Sequence, residues 1–109
     1  MKPWEVWDCP FPWGMHPAVI VSNPVRVELK AQIVVLACRT MRPASFRDPI
    51  ELEALLDEAD GMDWKTLCRC DLLYTIDKTV LKNHRGAVTM ERRRQIAVKI
   101  QQGLAVAGL

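Results

Sequence analysis

Residues able to do chemistry are few in this chain, and they fall in three short segments. Arg69 and Asp71 stand two apart in Leu67-Cys68-Arg69-Cys70-Asp71, so in a strand they would share a face. A guanidinium beside a carboxylate can grip an anion and accept a proton, or simply form an exposed ion pair of roughly 0–1 kcal/mol. Thr40 offers a hydroxyl where an apolar run ends, and His16 offers an imidazole before Pro17. Cys9, Cys38, Cys68 and Cys70 raise the question of a metal or a disulfide. Cys68 and Cys70 are closer together than a zinc knuckle requires, and no second close pair completes four ligands, so no metal or other cofactor is expected. Reduced, mostly buried cysteines in a cytoplasmic protein are the expectation.

The elements that position these residues can be read from period and turn signals. Trp4-Glu5-Val6-Trp7 reads as a first strand, and Asp8 to His16, with two prolines and Gly14, reads as a loop. Pro17 to Ser22 is a short apolar strand closed by Asn23-Pro24. Val25, Val27 and Leu29 alternate with charges and predict a half-exposed strand or extended edge. Ile33 to Cys38 is the most apolar run and predicts a central strand. Ile50, Leu52 and Ala54 favour a further strand, although Glu51 to Ala59 also accommodates one or two helical turns. Asp60-Gly61 marks a turn, Trp64 to Cys70 another strand that Leu72 to Ile76 can continue, and Thr75 and Asp77 a following turn. Thr89 then serves as N-cap of an amphipathic helix over Met90 to Val106, with Ile96, Ile100 and Leu104 in register and Ala97 and Ala107 beside them.

Size and charge set limits. The 109 residues suit one domain, residues 1–109, and the net charge of +2 does not by itself indicate a nucleic-acid binder. Asp48 to Asp63 carries seven acids and no Lys or Arg, whereas Trp64 to Leu109 carries nine bases against three acids. Opposed blocks suit an oligomer or an acidic partner, and Arg92-Arg93-Arg94 suits either a solvated helix face or a polyanion. The N-terminus lacks the apolar run of a secretory signal, and the longest stretch without acids or Lys and Arg holds four prolines, so no membrane segment is expected. The expected architecture is a mainly β fold: five to seven short strands curled into a small barrel with a C-terminal helix against it.

Four segments in order resemble the PemK/MazF/Kid-type toxins. They are the opening Trp4-Glu5-Val6-Trp7, then Gly14-Met15-His16-Pro17 followed by apolar residues and Ser22, then Val34 to Thr40, and then Leu67 to Asp71 with Thr75-Ile76-Asp77-Lys78. The resemblance spans nearly the whole chain. It implies an SH3-like barrel, a homodimer, and a metal-independent endoribonuclease that cuts single-stranded RNA to 2′,3′-cyclic phosphate ends. It also implies a cognate antitoxin whose flexible acidic segment covers the RNA groove.

On that resemblance Asp71 is the candidate general base, Arg69 the phosphate stabiliser or acid, and Thr40 a hydrogen-bond donor to the phosphoryl group. Arg69 suits charge stabilisation better, because a guanidinium rarely releases its proton. The family's arginine before the proline is His16 here, which can transfer protons near neutral pH but cannot replace a bidentate guanidinium. Trp13 and Phe11 are candidates to stack a base, and Arg39 and Arg42, on either side of Thr40, are expected to contact RNA. The alternative is a non-catalytic SH3-like barrel that binds a protein or nucleic-acid partner.

Overall fold

The computed structural model describes residues 1–104. Its elements in chain order are β1 (Glu5–Phe11), β2 (Gly14–Ile20), α1 (Pro24–Leu29), β3 (Gln32–Thr40), β4 (Glu53–Leu56), β5 (Thr66–Asp77), β6 (Lys82–Ala87) and α2 (Met90–Gly103). The six strands form one antiparallel sheet in the order β4-β5-β3-β2-β1-β6. This is the expected mainly β architecture with one C-terminal helix.

The sheet curls so that the turn after β4 reaches the other edge strand, β6. Gly61, with φ near +90°, lies against Gly86 so closely that a Cβ on either would sit 2.4 Å from a backbone carbonyl of the other segment. Only glycines allow that approach. Around it, Arg85 bridges Asp8 at 3.0 Å and Asp63 at 3.3 Å, and the Thr89 amide donates to Asp60 at 3.0 Å. Asp60 is completely buried and also accepts from the Asp57 amide and the Arg92 guanidinium. Much of the acidic block is thus paired within the chain. Arg92 clamps Asp57 with two hydrogen bonds of 2.8 and 2.9 Å, and Arg93 donates to the Val88 carbonyl, so two of the three consecutive arginines are structural.

Two apolar layers line the two faces of the curled sheet. One gathers Val6, Val19, Leu36, Cys38, Cys68 and Cys70 beneath Ile96 and Ile100 of α2. The other gathers Cys9, Phe11, Ala18, Ile20, Ile33, Val35 and Ala37 with Val27 of α1 and Leu81. Alternation along β3 feeds both layers, which is why the run is apolar at every position.

Several local expectations are corrected. The segment from Asp8 to His16 is no loop: β1 and β2 form a hairpin through it, with Pro12 and Trp13 at the tip. Pro10 and Pro17 fit because β1 meets β6 only from Glu5 to Asp8, and β2 meets β3 only from Ala18 to Ile20, so neither missing N–H faces a neighbouring strand. Val25 to Leu29 is helical. Asn23 caps its start by accepting from the Arg26 amide at 2.8 Å, Pro24 suits the first turn, and only Val27 is buried. The Lys78 ammonium donates to the Val27 and Glu28 carbonyls at the far end. β4 spans only Glu53–Leu56, and the strand from Thr66 runs unbroken to Asp77, so Thr75 is in the strand and the turn begins at Lys78. β6, Lys82–Ala87, is a further strand that no sequence pattern announces. Thr89 occupies the N-cap position of α2 without a side-chain cap bond, and the helix ends at Gly103. Val106 and Ala107, assigned to the helix and its flank from sequence, lie outside the described residues. Among the described residues no helix is long and apolar enough to cross a membrane.

Candidate functional site

The hairpin tip, the end of β3 and the middle of β5 converge on one face. β3 and β5 pair regularly from Gln32↔Asp77 to Leu36↔Leu73, then resume at Cys38↔Cys68. One residue of β3, Ala37, therefore faces four residues of β5, Arg69 to Leu72. That bulge frees Arg69, Asp71 and Leu72 from pairing with β3, a common device for re-aiming side chains, while Arg69 stays paired with β4. Cys68 and Cys70 point the other way, into the core.

The bulge separates two adjoining clefts. The first, of about 350 Å³, is lined by Trp13, His16, Ala37, Cys38, Arg39, Arg69, Leu72 and Tyr74. The second includes Arg47, Glu51, Glu53, Arg69, Asp71 and Leu72. Arg69 and Leu72 belong to both. A larger, open hollow of about 1130 Å³ between the N-terminus and α1 is lined by none of the candidate site residues Phe11, Trp13, His16, Arg39, Thr40, Arg42, Arg69 and Asp71.

His16, Trp13, Arg39 and Arg69 are therefore brought together, and Asp71 stands across Arg69 from them. Phe11 is buried and acts from behind: its ring stacks on Trp13 at 4.9 Å and 4° between planes, leaving Trp13 half exposed on the cleft. Tyr74 leans on the same pair, 5.5 Å from Trp13 and 5.4 Å from Phe11. Thr40 is exposed at the last position of β3 and Arg42 is exposed in the segment beyond, and neither lines these clefts. Asp71 is exposed, and α2 ends directly against it: a Cβ at Gly103 would stand 3.1 Å from the Asp71 Cβ.

Charge favours an anion here. Arg39 and Arg69 contribute two guanidinium groups, and among the described residues no carboxylate forms a salt bridge with either. Glu53, the register partner of Arg69, is instead held by Arg47 through two hydrogen bonds of 2.7 and 2.9 Å. These bonds hold the Glu53 carboxyl below its ordinary range, with smaller help from the Ile50 amide and the charge of Arg69. The four cysteines are free and buried. A hydrogen bond with Cys38 and burial keep the Cys68 thiol well above its usual range, and a hydrogen bond with Cys68 does the same for Cys70, so neither is a thiolate nucleophile.

Tyr74, Leu72 and Arg47 escaped the sequence reading. Leu72, Tyr74 and Ile76 alternate as half-buried residues along β5, a signal that marks a lined face, whereas Arg47 sits in an irregular segment with no pattern.

Comparison with solved structures places the fold. The chain superposes with TM-score 0.82 and 23% identity on an endoribonuclease in complex with its cognate antitoxin from a mycobacterial species, covering 97% of this chain and 96% of that one. It matches the Mycobacterium tuberculosis toxin MazF-mt6 with TM-score 0.78 and 16% identity, over 91% and 94% of the two chains. It matches a MazE–MazF structure from Deinococcus radiodurans with TM-score 0.68 and 12% identity, over 94% and 92%. No curated protein sequence matches significantly. The sequence model of one family matches residues 2–104, and by that match the chain belongs to the PemK-like, MazF-like toxins of type II toxin–antitoxin systems.

Proposed function

We propose that the protein is a sequence-specific endoribonuclease that cleaves single-stranded RNA without a metal ion, using the two clefts that meet at Arg69. The observation that supports this most is the placement of Arg69: without a salt bridge among the described residues and shared by both clefts, with Asp71 on one side and His16 on the other. RNA carries its own nucleophile. Asp71 takes the proton from a 2′-OH, and the freed oxygen attacks the adjacent phosphorus while the P–O5′ bond breaks. His16 gives a proton to the departing 5′-oxygen, and a 2′,3′-cyclic phosphate remains. Arg69 holds the phosphoryl oxygens, whose charge becomes concentrated as the fifth bond to phosphorus forms.

Trp13, backed by Phe11 and Tyr74, supplies a flat surface for one base, and Arg39 holds a neighbouring phosphate. Thr40 and Arg42, just beyond the cleft, are assigned to flanking phosphates. His16 thus carries the proton-transfer part of the role of the family arginine, and Arg69 and Arg39 carry its anion-binding part. The acting form is a homodimer, inhibited by a cognate antitoxin through a flexible acidic segment attracted to the same cations.

The experiment is incubation of the purified protein with a long unstructured RNA, followed by mapping of new ends, beside Arg69→Ala. Cuts at a short recurring sequence, lost in the variant, support the proposal. Binding without cuts by folded wild-type protein supports a non-catalytic barrel instead.

A further inference from the structure

Among the described residues no salt bridge involves Arg69, and the acid beside it is occupied by another arginine, Arg47. Glu53 lies directly across the β4–β5 ladder from Arg69, its side chain only 6% exposed. Opposed residues of an antiparallel pair have Cα atoms about 4.5–5.5 Å apart, and their side chains leave on the same side of the sheet. A buried carboxylate at that distance is the natural partner of Arg69, yet its oxygens are taken. Oε1 accepts from Arg47 Nη1 and the Ile50 amide at 2.7 and 3.0 Å, and Oε2 accepts from Arg47 Nη2 at 2.9 Å. The fork-to-fork geometry is the strongest arrangement open to such a pair. Arg47 comes from outside the ladder, and its Nη1 also donates to the Asp48 carbonyl at 3.1 Å.

We infer that Arg47 is a positioning residue: by neutralising Glu53 it keeps Arg69 turned toward the clefts, so that the phosphate-binding guanidinium is not consumed by an internal ion pair. This rests on the RNA-binding reading of the clefts. Without Arg47, the charge of Glu53 stays buried beside Arg69, and an unpaired buried carboxylate draws the nearest cation.

The test uses four full-length proteins, wild type, Arg47→Ala, Glu53→Gln and the double variant. The probe is a fluorescent oligoribonucleotide carrying a 2′-deoxy sugar at the cut position, so that binding is read without cleavage. The expectation is wild-type binding for Glu53→Gln and a loss of about tenfold or more for Arg47→Ala, the size of one charged hydrogen bond. Binding within about twofold of wild type should return in the double variant. If the double variant stays as weak as Arg47→Ala, then Arg47 grips RNA itself and the inference is wrong. A second readout needs no RNA. Arg69→Ala should leave the unfolding temperature unchanged in the wild-type background and lower it in the Arg47→Ala background, where Arg69 has moved onto Glu53. Equal effects in the two backgrounds overturn the inference, even if wild-type protein binds no RNA and the proposed function itself has failed.

Discussion

Replacing Arg92 with alanine should show what holds the barrel shut at the start of α2. The side chain joins two acids of the 57–60 turn to the helix: it clamps Asp57 at 2.8 and 2.9 Å and donates to Asp60, which is wholly buried. Loss of one partner from a buried ion pair costs about 3–5 kcal/mol. Asp60 would keep the Asp57 and Thr89 amides, both at 3.0 Å, and Arg92 is itself 23% exposed, so the lower end applies. A loss of about 3 kcal/mol corresponds to roughly 15 °C in a domain of this size. The effect should also depend on pH. Hydrogen bonds from Arg92, with help from the Ala59 amide, hold the Asp57 carboxyl at about 2, against an ordinary value of 3.8. A carboxyl whose folded value is depressed contributes stability that is full above its unfolded value and disappears as pH falls through its folded one. Calorimetry of wild type and Arg92→Ala should therefore show a gap that is constant from pH 7 to about 5 and narrows between about pH 4 and 2. A gap below about 0.5 kcal/mol at neutral pH, the level of an exposed ion pair, would refute the reasoning, as would a gap unchanged at pH 2.5.

Other perturbations reach different parts of the account. Gly86→Ala places a methyl 2.4 Å from the Asp60 carbonyl oxygen, so thermal unfolding should show a loss of about 3 kcal/mol. Trp13→Ala removes the proposed base platform and uncovers the Phe11 ring stacked on it; titration with a non-cleavable RNA should show a loss of about 1–3 kcal/mol in binding. Gly103→Ala presses a methyl on the Asp71 Cβ from 3.1 Å, so it should lower kcat several-fold at nearly constant KM, with the helix intact by circular dichroism.

The parts of this molecule that were legible in the sequence are those where one physical signal dominates. Ile33 to Cys38 is buried on both faces, and its apolar run can hardly be misread. The spacing of Ile96 and Ile100 fixed α2 for the same reason. The segment from Val25 to Leu29 misled because three apolar residues at every second position fit a strand, whereas Val25 and Leu29 are solvent-exposed and the capping bond of Asn23 decides for helix. β6 is polar at nearly every position and is held by backbone pairing with β1 and by His84 stacked on Trp7 at 5.0 Å. Those are long-range contacts with no local pattern. In the site, Arg69, Asp71, His16 and Trp13 were legible as residue types, while the bulge that exposes Arg69 and the Arg47–Glu53 pair beside it depend on register between distant strands.

The central claim is that these clefts turn the RNA's own 2′-OH against its phosphate. The most direct measurement compares two oligonucleotides around a mapped cut, identical except for one 2′-deoxy sugar on the 5′ side of the scissile phosphate, with EDTA present throughout. The all-ribose strand should be cut to a 2′,3′-cyclic phosphate end by wild type and not by Asp71→Ala, and the single deoxy substitution should abolish cutting while binding persists. Cleavage of the deoxy-substituted strand at the same bond would contradict it, because water and not the 2′-OH would then be the nucleophile.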